Sequence, residues 1–274
     1  MTFGQLVIGQ PGAGKSTYCR AAALALGSLY GRRCAIVNLD PANDDRHNAV
    51  DDTSDNSSFS GPAAISIHDL ISLQDAMDAY GLGPNGGIMY CMEYLAANLD
   101  WLDARLAQVS VSDDGQGQQV YLLIDLPGQV ELYAHHDAVR TVVSHLVRNG
   151  YRLCVTQLTD SSHLLDPYKS ISSMLLSLQS MLHLELPHIH VLSKLDLTAA
   201  QSPPPRFFAT ASDPSRAAAL LAANPTTPAR YAKLAAALAE FVDDYSLVSY
   251  LPLCATDPAC LRAVCAAADR AVGY

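Results

Sequence analysis

Gly9-Gln10-Pro11-Gly12-Ala13-Gly14-Lys15-Ser16 fits the pattern G-x-x-x-x-G-K-[ST], the signature of a phosphate-binding P-loop. The apolar run before it, residues 3–8, reads as a buried strand, and residues 17–30, rich in Ala and Leu, read as the helix after it. Glycines permit the tight turn in which successive N–H groups converge on phosphate oxygens, and the helix N-terminus adds partial positive charge. In that frame Gly12, Ala13 and Gly14 form the phosphate cradle and Lys15 reaches the β- and γ-phosphates. Ser16 is placed to ligate Mg²⁺, and Thr17 is the next donor, toward the α-phosphate.

Further strands follow at residues 34–39, 120–124, 152–158, 188–192 and 247–253, separated by helical patterns. The alternation predicts an α/β protein of the P-loop NTPase type: three layers, a mostly parallel sheet and helices on both faces. Residues 1–274 read as a single domain, with a helical insertion at 198–246 before the last strand. The insertion opens Pro- and Ala-rich, with Pro203-Pro204-Pro205 as a stiff break, and ends in an amphipathic helix capped by Thr227-Pro228.

Strand ends carry the chemistry, because in an open parallel sheet the carboxyl edge faces the ligand crevice. Asp40-Pro41 closes the second strand, where the Asp40 carboxylate touches Mg²⁺, its waters or the attacking water, or else only begins an Asp-Pro turn. Asp125-Leu126-Pro127-Gly128-Gln129 closes the third as a Walker-B-like segment: Asp125 holds Mg²⁺ and Gly128 lets its N–H approach the γ-phosphate. Gln129 can orient an attacking water, and Glu131 reads equally as a second positioner or base and as a solvated carboxylate in a first helical turn.

Ser193-Lys194-Leu195-Asp196 closes the fifth strand and is similar to the [NT]-K-x-D guanine motif. A carboxylate only accepts hydrogen bonds, and guanine offers N1–H and N2–H₂ donors, so Asp196 is the selectivity element. The Lys194 stem lies along the base, and Ser193 is one carbon shorter than the Asn of the motif. Cys254-Ala255, after the sixth strand, present backbone N–H groups to the guanine O6.

Other stretches carry weaker signals. Residues 43–60 form a polar acidic loop without the spacing of a calcium site. Residues 68–80 read as a helix ending at Gly81, residues 88–108 as a longer helix, and 110–119 as a polar loop. Between the two helices, Gly81-Leu82-Gly83-Pro84-Asn85-Gly86-Gly87 reads by composition as an ordinary turn. His135-His136 are neighbours that diverge on a helix, so they read as packing or interface residues.

The formal net charge of −10 argues against direct nucleic-acid binding, which needs clustered Lys and Arg. Seven scattered cysteines without a C-x-x-C pair suit small core residues in a reducing compartment, with a metal site at Cys254, Cys260 and Cys265 the remote alternative. No apolar stretch of about 18 residues is present, so a soluble, cytoplasmic protein without a membrane role is expected.

The P-loop, Asp40-Pro41-Ala42, Gly83-Pro84-Asn85, Asp125-Leu126-Pro127-Gly128-Gln129 and Ser193-Lys194-Leu195-Asp196 occur in that order across nearly the whole chain. Together they resemble the GPN-loop GTPases. The stretches from Gly83 to Trp101 and Asp244-Tyr245-Ser246-Leu247-Val248-Ser249 look most like the second of three eukaryotic paralogues. The resemblance reverses the compositional reading of the 81–87 turn. It implies a GTP/GDP site with Mg²⁺ and a nucleotide-dependent dimer, as a homodimer or a heterodimer of paralogues. It also implies that Gly83, Pro84 and Asn85 insert near the phosphates and catalytic water of the partner subunit's site. Biogenesis, assembly or nuclear import of RNA polymerase II, contact with its subunits or assembly factors, and shuttling to the nucleus are implied likewise. The acidic segment 44–58 and the Ala/Pro-rich segment 207–225 depart from the family pattern. Two rival readings stand beside the GTPase switch: a P-loop phosphotransferase acting on a small molecule, and a GTP-binding assembly scaffold with negligible turnover.

Overall fold

Strand β1 (Thr2–Gly9) sends Leu6 and Ile8 into one apolar core and Val7 into another. Such alternation is what a strand buried on both faces requires. The same alternation runs through β4 (Tyr121–Asp125), whose Leu122 and Ile124 join the first core while Tyr121 and Leu123 join the second. The computed structural model describes residues 2–43, 63–111, 119–199, 213–225, 227–245 and 247–274. Most of the acidic stretch, most of the 110–119 loop and the triple proline lie outside the described residues.

Among the described residues, seven parallel strands form one sheet in the order β3-β2-β4-β1-β5-β6-β7. The others are β2 (Cys34–Asn38), β3 (Ile65–Ser66), β5 (Tyr151–Asp160), β6 (His188–Ser193) and β7 (Tyr250–Pro252). The short edge strand β3 was not expected: two residues are too few to show a period. Parallel strands need crossovers, and helices supply them. Helix α1 (Lys15–Tyr30) covers the second core together with the last helix, Pro258–Val272, while α2 (Leu73–Tyr80), α3 (Pro84–Ala97) and α4 (Leu99–Val111) lie over the first. After β4 come the short α5 (Val130–Ala134) and α6 (Asp137–Arg148), and α7 (Pro167–Leu184) links β5 to β6. The expected three-layer fold is therefore present. Before β7 come α8 (Leu195–Ala199), α9 (Pro214–Ala223) and α10 (Ala229–Tyr245), where the helical insertion was expected; Pro258–Val272 is α11.

Two helical expectations change. The expected 88–108 helix is broken at Asn98, which ends α3, and it starts earlier, with Gly83 as N-cap and Pro84 in the first turn. The expected 68–80 helix begins as a 3₁₀ turn at Ile67–Asp69 and becomes α-helical only at Leu73, capped by Ser72. His136 serves as the N-cap of α6. Its ring accepts from the Ala138 N–H at 3.2 Å, and its other nitrogen meets Glu93 at 3.0 Å.

A buried polar knot ties α1 to the sheet. The Tyr18 hydroxyl donates to Gln5 Oε1 at 2.7 Å, Thr156 donates to the same oxygen at 2.9 Å, and Gln5 Nε2 donates to Tyr121 at 3.0 Å. A satisfied network of this kind fixes orientation, here of the helix that follows the P-loop.

Strand β6 carries a different pair. His188 and His190 sit on one face with ring centroids 5.9 Å apart, and neither nitrogen of His190 has a hydrogen-bond partner among the described residues. Burial pushes His188 down to about 4, and burial together with His188 pushes His190 down to about 3. A base whose folded pKa is depressed binds more protons when unfolded, so stability is complete above about pH 6.5 and falls as pH drops toward 4 and then 3. The loss is expected to reach about 2–3 kcal/mol per histidine near about pH 4.5. Denaturant titrations at neutral and acid pH check this, and His190→Leu should remove its share; an unchanged pH slope in that variant would contradict the assignment.

Candidate active site

Parallel register brings the strand ends to one level. Val7 and Asn38 both align with Asp125, and Asp160 aligns with Ser193. The loops leaving β1, β2, β4, β6 and β7 therefore converge on one edge of the sheet.

Gly14 is the N-cap of α1 at φ 90°, a left-handed conformation that glycine adopts without steric cost. It turns the chain so that the helix opens at Lys15. A cavity of about 510 Å³ lies over this N-terminus, lined by Gly12, Gly14, Lys15, Ser16 and Thr17 together with Asp40, Asn85, Gly128, Gln129 and Lys194. A second cavity, of about 260 Å³, has Ala13, Gly14, Thr17, Ser193, Lys194, Asp196 and Ala255 in its wall. Gly14, Thr17 and Lys194 belong to both. The paired cavities match a triphosphate in the first and a base in the second. Helix partial charge and a lysine meet the anionic end, and an acceptor carboxylate meets the base end.

Around Lys15 the packing is close. Its side chain is 7 % exposed, with Nζ 3.5 Å from the Gln10 carbonyl. A Cβ on Gly128 would lie 2.9 Å from the Pro11 backbone and 3.0 Å from Lys15 Nζ. Gly128 thus lets the β4 loop touch the P-loop and leaves room for the ammonium, a reason more local than the expected approach to phosphate.

Ser16 and Asp125 meet directly: the Ser16 hydroxyl donates to Asp125 Oδ2 at 2.6 Å. Hydroxyl and carboxylate oxygens are the hard donors that Mg²⁺ takes, alongside phosphate oxygens and waters, so this pair fits the ion. Asn43, unmarked by the sequence reading, donates from Nδ2 to Ser16 Oγ at 3.0 Å and is itself held through its carbonyl by Asn38 Nδ2 at 2.7 Å. Asp40 forms a turn and also borders the phosphate cavity: its Oδ1 accepts the Ala42 N–H at 2.9 Å, an Asx turn.

Gln129 Nε2 donates to the Asn85 carbonyl at 3.3 Å, and Gln129 Oε1 is buried without a hydrogen-bond partner among the described residues. Asn85 of the single chain therefore borders its own cavity. Glu131, in the first turn of α5, is exposed and is not among the cavity-lining residues; the geometry leaves it with the solvated alternative.

At the base end, Ser193 Oγ donates to the Ala13 carbonyl at 2.8 Å, with Thr159 O at 3.3 Å. Its hydroxyl fastens the P-loop to β6. Lys194 sits at φ 58°, a costly left-handed conformation for a residue with a Cβ, held by Ser161 Oγ on its carbonyl at 3.1 Å and by Asp160 on its ammonium at 3.0 Å. Burial raises the Asp160 pKa, but Ser162 and Lys194 outweigh it and leave the carboxyl below its usual value. Cys254 is absent from the cavity wall, whereas Ala255 and Thr256 are present. Cys260 donates to Asp257 at 3.2 Å and Cys265 is buried, and the described residues hold no group of three metal-ligating side chains.

This is the nucleotide site of a P-loop GTPase fold. Residues 7–274 match the family model described as a conserved hypothetical ATP binding protein. The chain is 43% identical over 276 residues to GPN-loop GTPase 2 of Xenopus tropicalis, covering 99% of this chain and 83% of that one. It is 40% identical over 278 residues to the GPN-loop GTPase QQT1 of Arabidopsis thaliana, covering 100% and 86%. A GTPase of Pyrococcus abyssi solved in its apo form superposes with a TM-score of 0.71 at 20% identity over 98% and 97% of the two chains, a likeness of fold. The chain belongs to the GPN-loop GTPase family, and the expected likeness to the second paralogue agrees with the Xenopus relative.

Proposed function

We propose that this GTP hydrolase works as a Mg²⁺-dependent switch, completed when two GTPase chains pair through Gly83-Pro84-Asn85, and that it serves the biogenesis, assembly or nuclear import of RNA polymerase II. The observation that carries the catalytic part is Gln129. Its amide nitrogen is held by Asn85, its carbonyl oxygen is buried with no hydrogen-bond partner among the described residues, and the residue lines the cavity that Lys15 also lines. A carboxamide that borders the cavity and keeps an unused acceptor can turn that acceptor to a water, and positioning of that kind is most of what a phosphoryl-transfer catalyst supplies.

The chain's own groups divide the work. Lys15 and the N–H groups at the start of α1 bind the terminal phosphates and meet the negative charge that builds on the equatorial oxygens. Gln129 accepts a hydrogen bond from the attacking water, and Asp40 lines the same cavity. Ser16 and Asp125 would hold Mg²⁺, which supplies positive charge at the phosphate oxygens when bound. Asp196 reads the base.

Gln129→Ala is expected to lower kcat at least about tenfold with GTP affinity nearly intact, which single-turnover hydrolysis beside equilibrium binding would register. Unchanged turnover would remove Gln129 from the mechanism.

Pairing is supported by the place of Asn85, whose carbonyl touches the water-positioning residue, so a partner packed on this segment acts on catalysis directly. The partner is a second copy or a paralogous GPN-loop GTPase. Light scattering with Mg²⁺-GDP and with a non-hydrolysable GTP analogue tests it: tighter association with the analogue, lost in Asn85→Ala, is the expected result. The polymerase role and passage between cytoplasm and nucleus rest on family resemblance. Co-purification of polymerase subunits, gained or lost with nucleotide state, tests them.

A further inference from the structure

Asn43 lines neither nucleotide cavity, yet it touches the hydroxyl that would hold Mg²⁺. A serine hydroxyl has one hydrogen and two lone pairs. In Ser16 the hydrogen goes to Asp125 Oδ2 at 2.6 Å, so toward Asn43 the oxygen can only accept, and the Asn43 amide nitrogen supplies the donor at 3.0 Å. One lone pair of Ser16 Oγ is left. The two bonds also fix the rotor, because turning the hydroxyl breaks its bond to Asp125. The backbone of Asn43 is itself held on both sides. Its N–H donates to the Asp40 carbonyl at 3.1 Å, closing the turn Asp40-Pro41-Ala42-Asn43 with proline at the second position. Its carbonyl accepts from Asn38 Nδ2 at 2.7 Å and lies 3.3 Å from His68 Nε2, in the 3₁₀ turn after β3. Asn38 is buried, and its Oδ1 accepts the Asp40 N–H at 3.0 Å. The ends of β2 and β3 thus set where the Asn43 amide points.

We propose that Asn43 is a positioning residue for Mg²⁺: it occupies one lone pair of Ser16 Oγ, keeps the hydroxyl hydrogen on Asp125, and so leaves the other lone pair for the ion. The proposal rests on the reading of Ser16 and Asp125 as the groups that hold Mg²⁺. That ion demands near-ideal octahedral geometry, so a ligand already turned to one direction loses less freedom in binding it. Groups that orient a ligand in this way contribute about 10–100-fold to metal affinity or activity. A bond that merely tethered the β2 turn to α1 would act on nucleotide binding with or without metal. The two roles therefore separate by experiment.

The test reads metal binding rather than turnover. Release of a fluorescent GDP from the intact chain, followed against free Mg²⁺, gives the Mg²⁺ concentration at half effect. In Asn43→Ala, and in Asn43→Leu, which fills the space without a donor, that concentration should rise at least about tenfold. GDP affinity in EDTA and the circular dichroism spectrum should stay as they were. Because Asn43 acts through the Ser16 hydroxyl, adding Asn43→Ala to Ser16→Ala should bring no further rise. An unchanged half-point in both Asn43 variants overturns the proposal. So does a full additional rise in the double variant, or an equal loss of GDP affinity with and without metal, which would make Asn43 a tether. The underlying reading is tested apart: a half-point unmoved in Ser16→Ala removes Ser16 as a Mg²⁺ ligand and takes this proposal with it, whereas a shift in Ser16→Ala with none in Asn43→Ala sinks this proposal alone.

Discussion

Replacing Lys15 by Ala is expected to lower GTP turnover by about 10²–10³-fold or more, beyond any change in affinity. The ammonium is nearly buried, and the Gln10 carbonyl at 3.5 Å is a distant partner for it. Such a charge is costly to hold unless an anion completes it, and the cavity beside it is where that anion belongs. Because negative charge on the transferring group grows toward the transition state, the lysine stabilises that state more than the ground state. Alanine removes the charge and leaves the helix N–H groups, so binding falls less than kcat. Lys15→Arg should not rescue: the planar guanidinium is larger, and Lys15 Nζ already lies only 3.0 Å from where a Cβ on Gly128 would sit. Single-turnover rates at saturating GTP, with separately measured dissociation constants, decide the matter. A variant that loses affinity but keeps its bound-state rate would show Lys15 to be a binding residue only.

That expectation was legible in the sequence because the P-loop is local: eight consecutive residues, with a strand before and a helix after, specify their own geometry. The strand-end residues Asp40, Asp125 and Asp196 were legible for a related reason. An apolar run stopping at a carboxylate marks the sheet edge, and one topological rule gathers all such edges. What escaped depends on contacts between edges. Asn43 reaches Ser16 across a turn, and Asp160 pairs with Lys194 from the neighbouring strand. Neither leaves a periodic or compositional mark, although Asp160 ends a strand and topology alone would have flagged it. Ser193 was legible in place but not in role, since its bond to the Ala13 carbonyl exists only once β6 lies beside the P-loop. The Gly83-Pro84-Asn85 segment was misread from composition for a physical reason: Gly-Pro serves as a turn and as a helix N-cap with proline at N1 alike. Gly87 shows which applies, because a Cβ there would lie 2.8 Å from Leu73 and 2.9 Å from Met77, so the glycine lets α3 pack on α2.

The base end offers the second large effect. The matching family model is described by ATP and the relatives by GTP, and Asp196 is where the two differ physically. A carboxylate accepts from both guanine donors, N1–H and N2–H₂, and adenine presents no such pair. Hydrogen bonds to a charged acceptor contribute about 1.5–3 kcal/mol each. Asp196→Ala should therefore weaken GTP at least about a hundredfold while ATP, already weak, changes little. The loss is not confined to missing bonds, because the guanine donors would enter the second cavity and leave water without a replacement. Asp196→Asn sharpens the argument. Its amide offers a donor where the carboxylate offered only acceptors, which suits a base with a carbonyl at C2, so xanthosine triphosphate should gain on GTP in that variant. Competitive displacement with the three nucleotides gives the ratios. If the GTP-to-ATP ratio is the same in Asp196→Ala as in the unaltered chain, the base is being read elsewhere, at the backbone of Ala255 and Thr256 that closes the same cavity.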